Sequence, residues 1–239
     1  MEKEKVERVN SGIPGLDELI EGGFVKNSVN LIAGASGTCK TMFGCQFLWN
    51  GLQKGEKGVY VTLEQSAEDI MKDMLTFGWD FSSYIKKGRC KICEVTPGDV
   101  DELKTFIFSE VKRLDAELVI HRFVLDSLSL AAMGWKEKPE EIFKLRTKVF
   151  GLLKSLKTLN LTSLVIAEIP SGEQSLGRLG FEEFIVDSVI LLKVLPVDIP
   201  MRTLQIVKMR RTKHNMQVHP FEVTSKGIFI TKMKKKEYL

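Results

Sequence analysis

The apolar stretch Val29 to Ala33 runs directly into Gly34-Ala35-Ser36-Gly37-Thr38-Cys39-Lys40-Thr41, and an amphipathic segment opens immediately behind it. Strand, glycine-rich turn and helix start in that order constrain this chain more than any other feature. They predict a βα unit whose turn encloses an anion. In such a loop successive backbone N–H groups and a helix N-terminus face the phosphates, the lysine reaches the β/γ oxygens, and the hydroxyl residue ligates Mg²⁺. Lys40 and Thr41 supply the last two groups, and Gly34, Ala35, Ser36, Gly37, Thr38 and Cys39 form the cradle. Cys39 departs from the pattern G-x-x-x-x-G-K-[ST], which places glycine there because the backbone passes close to a phosphate. Its Cβ and sulfur are expected to crowd that approach. An ordinary βα turn with a solvated lysine does not explain why so many loop-specific residues coincide.

The alternation continues along the chain. A helix from about Lys40 to Lys54 leads to a strand, Val59 to Leu63, that ends at Glu64, completing a βαβ unit. Ser66 with Asp69 three residues on marks the start of a helix over Ala67 to Thr76. Strands are predicted at Arg89 to Val95, Leu118 to Leu125 and Ser163 to Ala167. Between them, Val100, Leu103, Phe106, Ile107, Val111 and Leu114, and then Ile142, Leu145, Val149, Leu152, Leu153 and Leu156, recur at helical spacing. The expected fold class is α/β: a mainly parallel twisted sheet with helices on both faces and its chemistry at the carboxyl ends of the strands. Beyond Val186 the helices stop. Ser188 to Leu195, Thr203 to Arg211, His219 to Thr224 and Gly227 to Lys232 predict an antiparallel C-terminal extension at one sheet edge. No linker-like stretch or internal repeat interrupts the 239 residues, which read as one domain.

Charge and composition exclude other classes. With 35 basic and 31 acidic side chains the formal net charge is +4, too balanced for a general polyanion binder. Local basic clusters lie at Lys208, Arg210, Arg211 and Lys213 and in the tail Lys232, Lys234, Lys235 and Lys236. The charged N-terminus, Met1 to Arg8, has no apolar signal region, and no run of about 18 apolar residues occurs, so a soluble, cytoplasmic protein without membrane contact is expected. The 4 cysteines then read as reduced thiols. Cys90 and Cys93 form a C-x-x-C, but in a strand residues three apart point to opposite faces. With His121, His214 and His219 scattered through other elements, a zinc site is disfavoured.

Outside the loop, Asp126 closes the apolar run Phe123-Val124-Leu125, as does the carboxylate that holds Mg²⁺ through water near the loop hydroxyl in phosphoryl-transfer sites. Its competing reading is a cap on the next element. Glu64 is placed to take a proton from an attacking water as general base, or is a solvated strand-end residue. Glu168 ends the strand after Asp126, in place to report on the γ-phosphate through a hydrogen bond, although an acid is an awkward neighbour for phosphate oxygens. Lys208, Arg210, Thr212 and His214 alternate along a predicted strand and so share one face. They are either the charged guard of an edge strand or, if remote from the chain's own loop, cations serving a neighbouring subunit's nucleotide.

Taken together, four stretches resemble the KaiC-like branch of the RecA-fold ATPases over nearly the whole chain. These are Ser11-Gly12-Ile13-Pro14-Gly15-Leu16-Asp17-Glu18-Leu19-Ile20-Glu21-Gly22-Gly23, the phosphate loop, Phe77-Gly78-Trp79-Asp80, and Lys208-Met209-Arg210-Arg211-Thr212-Lys213-His214. The resemblance implies a RecA core, ATP with Mg²⁺, and hexameric rings with nucleotide at subunit interfaces. It implies Lys40 and Thr41 as phosphate and Mg²⁺ ligands, Asp126 as the Walker B residue and Glu64 as catalytic base. Lys208 and Arg210 become trans-acting cations, and Phe181-Glu182-Glu183-Phe184 with Asp187 a segment that orders the loop beneath the sheet edge. Glu64-Gln65 replaces the paired glutamates of KaiC, which together with Cys39 points to a weak ATPase in an oligomeric regulatory or assembly protein. The alternative is a nucleic-acid-binding accessory protein, related to recombinase paralogues, that uses Lys136, Lys138 and Arg178 with Trp135 and Phe181 to hold single-stranded DNA. A degenerate ATPase recruiting a protein partner is a third reading.

Overall fold

A computed structural model describes residues 6–114, 121–131, 139–170, 179–196 and 200–231. In chain order the elements are β1 (Arg8–Val9), α1 (Leu16–Leu19), β2 (Phe24–Val25), β3 (Val29–Gly34), α2 (Lys40–Gln53), β4 (Gly58–Thr62), α3 (Ala67–Leu75), α4 (Phe81–Lys86), β5 (Cys90–Glu94) and α5 (Val100–Leu114). They continue with β6 (Arg122–Asp126), α6 (Leu128–Ala131), α7 (Pro139–Thr158), β7 (Thr162–Glu168), α8 (Glu182–Ile185), β8 (Ser188–Leu195), β9 (Met201–Met209), β10 (Val218–Thr224) and β11 (Gly227–Ile230).

Among the described residues β3 to β11 form one nine-stranded sheet in the order β11-β10-β9-β8-β3-β7-β6-β4-β5. From β8 to β5 all neighbours are parallel, and β8, β9, β10 and β11 pair antiparallel, so the mainly parallel sheet and its antiparallel extension are both present. The strand that feeds the phosphate loop is central, between β7 and β8. Parallel registers bring Gly34 beside Glu168 and Leu192, and Thr62 beside Asp126, which gathers the expected site residues at one carboxyl edge.

Successive residues of the inner strands enter different cores, which is why those strands read as unbroken apolar runs. Val29, Leu31, Ala33, Val59, Val61, Phe123 and Leu125 join α5 and α7 on one face. Ile32, Tyr60 and Val124 join Phe43, Phe47 and Leu48 of α2 on the other. Cys90 falls in the α2-side core and Cys93 in the opposite one, so the C-x-x-C pair points to opposite faces of β5. One buried charge braces the α2 side. Arg122 is 0 % exposed, and its guanidinium grips Glu56 at 2.5 and 3.2 Å, donates to the carbonyls of Asn10 and Phe47, and lies 4.5 Å over the Phe47 ring. A Cβ on Gly51 would come within 2.3 Å of Arg122 Nε, so α2 closes over the guanidinium only with glycine there.

Several expected boundaries shift. β4 stops at Thr62 because the Thr62 hydroxyl accepts from the backbone of Glu64 and Gln65 and donates to the Gln65 carbonyl, turning the chain before Glu64. β9 ends at Met209, and Arg211 takes the left-handed φ of 56°. The alternation proposed for Lys208, Arg210, Thr212 and His214 therefore holds only as far as Arg210, which stays with Lys208 beside Asp187, whereas Thr212 and His214 lie beyond the turn. On α7, Leu145, Val149, Leu152, Leu153 and Leu156 are buried, whereas Ile142 is exposed beside Phe143. Residues 118–120 of the predicted strand and the tail 232–239 lie outside the described residues. Ser66 caps α3 as expected, accepting from the Asp69 N–H at 3.0 Å.

Candidate functional site

The loop between β3 and α2 is built by short-range constraints. Gly34 packs so closely that a Cβ would sit 2.6 Å from both the Leu192 carbonyl and the Thr38 hydroxyl. Thr38 in turn donates to the Ala35 carbonyl at 2.8 Å, closing the turn. Gly37 has φ 77°, and a Cβ there would meet nothing within 4 Å, so the loop backbone is open to the cleft. Cys39 is the N-cap of α2 at φ 69° and ψ 29°. That left-handed conformation gives a second reason for glycine in the pattern, because an L side chain is sterically strained there. The Cys39 side chain is half-buried, packs against the α2-side core and also lines the cleft. Burial pushes its thiol up, against the opposing influence of Arg202 and Lys40.

The cleft outside this loop has a volume of about 690 Å³ and is lined in part by Lys40, Thr41, Glu64, Asp126, Glu168 and Arg202. Lys40 is 9 % exposed and its ammonium donates to the Ala35 carbonyl at 2.9 Å. Among the described residues no carboxylate lies within ion-pair distance of it, so a nearly buried cation faces the cleft with a neutral partner. Such an arrangement suits an anion.

Thr41 and Asp126 meet directly: the Thr41 hydroxyl donates to Asp126 Oδ2 at 2.7 Å. The Tyr60 hydroxyl donates to the same oxygen, also at 2.7 Å. Burial raises the Asp126 carboxyl, and the two hydroxyl donors act against that rise. A hydroxyl oxygen and an adjacent carboxylate, both at the foot of an anion-binding loop, are the hard oxygen donors that Mg²⁺ takes beside phosphate. The donor set fits a Mg²⁺-nucleotide. Glu64 follows the turn after β4, and its Oε1 accepts from the Ser127 hydroxyl at 2.5 Å, which holds it at the same edge as Asp126. Glu168 lines the cleft in register with Gly34, and its backbone N–H donates to the Ser129 hydroxyl at 2.8 Å.

Lys208 and Arg210 are elsewhere. Lys208 pairs with Val189 near the start of β8, and the Arg210 backbone N–H bonds to the Asp187 carbonyl. Asp187 also accepts from the Val29 N–H at 2.9 Å, so this cluster sits at the beginning of β3. The five steps from Val29 to Gly34 place it about 16 Å from the phosphate loop. Lys208 donates to the carbonyls of Glu183 and Val186 at 2.7 and 2.8 Å, and burial, followed by the neighbouring Arg210 charge, lowers its pKa. Arg210 is 52 % exposed and only 3.8 Å from Asp187, a loose pair. Phe143, Phe150 and Phe184, at 70 %, 50 % and 64 % exposure, surround a hollow that also includes Arg210. The segment around α8 is ordered by Glu182, which is 0 % exposed and accepts from the N–H groups of Leu179 and Phe181.

Three contributors escaped the sequence reading. Tyr60 looks like one more apolar strand residue, Ser127 like a loop hydroxyl, and Arg202 like an edge charge. Arg202 reaches the loop, with Nε 3.4 Å from the Gly37 carbonyl, because β9 returns antiparallel along β8 and its first residues arrive at the carboxyl edge. The residues proposed to hold nucleic acid divide differently. Trp135, Lys136, Lys138 and Arg178 lie outside the described residues, and Phe181 is buried under Arg146, so its ring is no stacking platform. No helix among the described residues is long and apolar enough to cross a membrane.

Comparison with known proteins gives a consistent picture. The family model described as "ATPase: KaiC" matches residues 9–235. A UPF0273 protein of Thermotoga maritima is 36 % identical over 240 residues, covering 94 % of this chain and 96 % of the relative. The circadian clock oscillator protein KaiC of a Picosynechococcus species is 32 % identical over 237 residues, covering 94 % of this chain but 44 % of that longer protein. The crystal structure of a KaiC-like protein from Pyrococcus horikoshii superposes with a TM-score of 0.84 at 39 % identity, covering 95 % of this chain and 100 % of that one.

Proposed function

The chain belongs to the KaiC family of ATPases, and from that premise we propose that residues 1–239 form one cytoplasmic RecA-type domain that binds Mg²⁺-ATP, hydrolyses it slowly and acts as a hexameric ring whose nucleotide state controls an assembly. The observation that carries this reading is the convergence of Lys40 and Thr41 from α2, Glu64 after β4 and Asp126 at the end of β6 on one cleft. Bound Mg²⁺ would neutralise charge on the β- and γ-phosphate oxygens. Lys40 would leave the Ala35 carbonyl for those oxygens, while Thr41 and Asp126 would hold the metal. Backbone N–H groups from Gly34 to Thr41 would cradle the phosphates. Glu64, oriented by Ser127 through one oxygen, would take the proton of the attacking water on the other.

The remoteness of Arg210 from its own loop supports a role across a subunit boundary. An exposed guanidinium rimmed by Phe143, Phe150 and Phe184 is suited to a neighbouring copy, where it would meet transition-state charge. Lys208, tied to two carbonyls, would hold that segment in place and lend its charge from beneath. Glu64-Gln65 and Cys39 are the reasons for expecting slow turnover.

The test is calorimetric titration of ATP and ADP with Mg²⁺, followed by phosphate release, on native protein and Lys40→Ala. Binding and slow release by the native protein, lost in the variant, are expected. Native protein that binds neither nucleotide would refute the reading.

A further inference from the structure

We propose that Tyr60 is a positioning residue that aims the Asp126 carboxylate at the metal of a bound nucleotide. This role presupposes that Asp126 holds Mg²⁺, as proposed above, and it falls to a residue that the phosphate-loop pattern does not include.

Tyr60 sits in the middle of β4 and is 0 % exposed. In the parallel pairing of β4 with β6 it lies opposite Val124, and Thr62 opposite Asp126, so its side chain runs along the α2 face toward the carboxyl edge. α2 packs closely over this part of the sheet: a Cβ on Gly44 would come 2.8 Å from Val124 Cγ1 and touch Tyr60 Cε2 at 3.4 Å, an ordinary contact. A phenylalanine would fill that space equally well and avoid burying a hydroxyl, which is costly unless it is hydrogen-bonded. Here the hydroxyl meets two groups, Asp126 Oδ2 at 2.7 Å and the fully buried Cys45 thiol.

The geometry at the carboxylate gives the hydroxyl its purpose. Among the described residues, both side-chain donors to Asp126, Thr41 and Tyr60, go to the same oxygen, each at 2.7 Å. Thr41 belongs to α2 and Tyr60 to β4, so the oxygen is held from two elements and the carboxylate plane cannot turn without losing one bond. Thr41 has a second task, since its oxygen must also face the metal. A ligand that moves with its own metal is a poor anchor. Tyr60, buried and away from the phosphates, supplies the fixed half of the pair, and ligand orientation of this kind commonly changes metal affinity by about 10–100-fold.

The experiment compares ADP affinity in Mg²⁺ with that in EDTA, by calorimetry, for native protein, Tyr60→Phe, Cys45→Ala and Asp126→Asn. Expected are an EDTA affinity for Tyr60→Phe close to native, and a Mg²⁺-dependent gain reduced by about tenfold. Cys45→Ala keeps the full gain, because the Tyr60 to Asp126 bond survives. A spectroscopic readout accompanies this: the electron paramagnetic resonance spectrum of Mn²⁺-ADP should broaden in Tyr60→Phe and stay sharp in Cys45→Ala. If Tyr60→Phe retains the whole gain, Tyr60 is a core residue only and the proposal is overturned while Asp126 keeps its role. If Asp126→Asn also retains the gain, the metal assignment itself falls and takes the proposal with it. Should Tyr60→Phe fail to fold, Tyr60→Met, which lacks the hydroxyl but fills much of the volume, takes its place: a reduced gain supports the proposal and a full gain overturns it.

Discussion

Ser127 donates a hydrogen bond of 2.5 Å to Oε1 of Glu64, joining the residue after β6 to the turn after β4. Glu64 is exposed, yet its carboxylate is held by this partner. The bond fixes one carboxylate oxygen and leaves the other for chemistry. Glu64→Gln preserves shape and removes the base, so phosphate release should fall by about 10²–10⁴-fold, with nucleotide affinity within about twofold of native. Parallel loss of binding in calorimetry would show that Glu64 shapes the site instead.

Cys39 adopts φ 69° where the pattern has glycine. Cys39→Gly removes strain of roughly 1–2 kcal/mol, while the more flexible unfolded chain takes back about 0.4–1 kcal/mol. Stability in urea should therefore rise by about 0–1.6 kcal/mol. Because the cysteine already reaches the left-handed conformation, native protein should bind Mg²⁺-ADP, with affinity within about tenfold of the glycine variant. Cys39→Ala separates sulfur from backbone: an affinity gain shared by alanine and glycine would identify the sulfur as the obstacle.

Arg122 holds Glu56, two backbone carbonyls and the Phe47 face from a fully buried position. Arg122→Met leaves a partly buried carboxylate and two carbonyls without their donor, and should cost about 3–5 kcal/mol in urea unfolding. Arg122→Lys should recover little, since an ammonium cannot reproduce the guanidinium fork. A loss below about 1 kcal/mol would mean the network adds little to the fold.

Phe143, Phe150 and Phe184 leave aromatic surface in water around the hollow that holds Arg210. Placing a charge there should oppose association without touching the nucleotide cleft. Phe143→Glu with Phe184→Glu is expected to lower the mass seen by light scattering to that of smaller species and to leave Mg²⁺-ADP binding in place. Unchanged mass would locate any subunit contact elsewhere.

Much of this arrangement can be read from the residues because it depends on local rules. Unbroken apolar runs and the period-3.6 pattern reveal β3, α2, β4, α5, β6 and β7, and the loop motif with a carboxylate at the end of an apolar strand points to Thr41 and Asp126, which the structure brings into hydrogen-bond contact. Side chains whose roles come from tertiary approach are harder to see. Arg122 opens a strand and looks solvated, yet it is fully buried because α2 carries Gly51 above it. Arg202 reaches the loop through the antiparallel return of β9, which depends on pairing rather than periodicity. Thr212 and His214 part from Lys208 and Arg210 because Arg211 turns left-handed, something alternation alone cannot foresee.

In the proposed ring, Glu64 of one subunit and Arg210 of the next complete a single hydrolytic site. Oligomers assembled from equal amounts of Glu64→Gln and Arg210→Ala, each inactive alone, test it by phosphate release. Random mixing pairs an intact Glu64 with an intact neighbouring Arg210 at roughly a quarter of head-to-tail interfaces, so activity should return to about that fraction of native. Mixed oligomers as inactive as either parent would contradict a site shared between subunits.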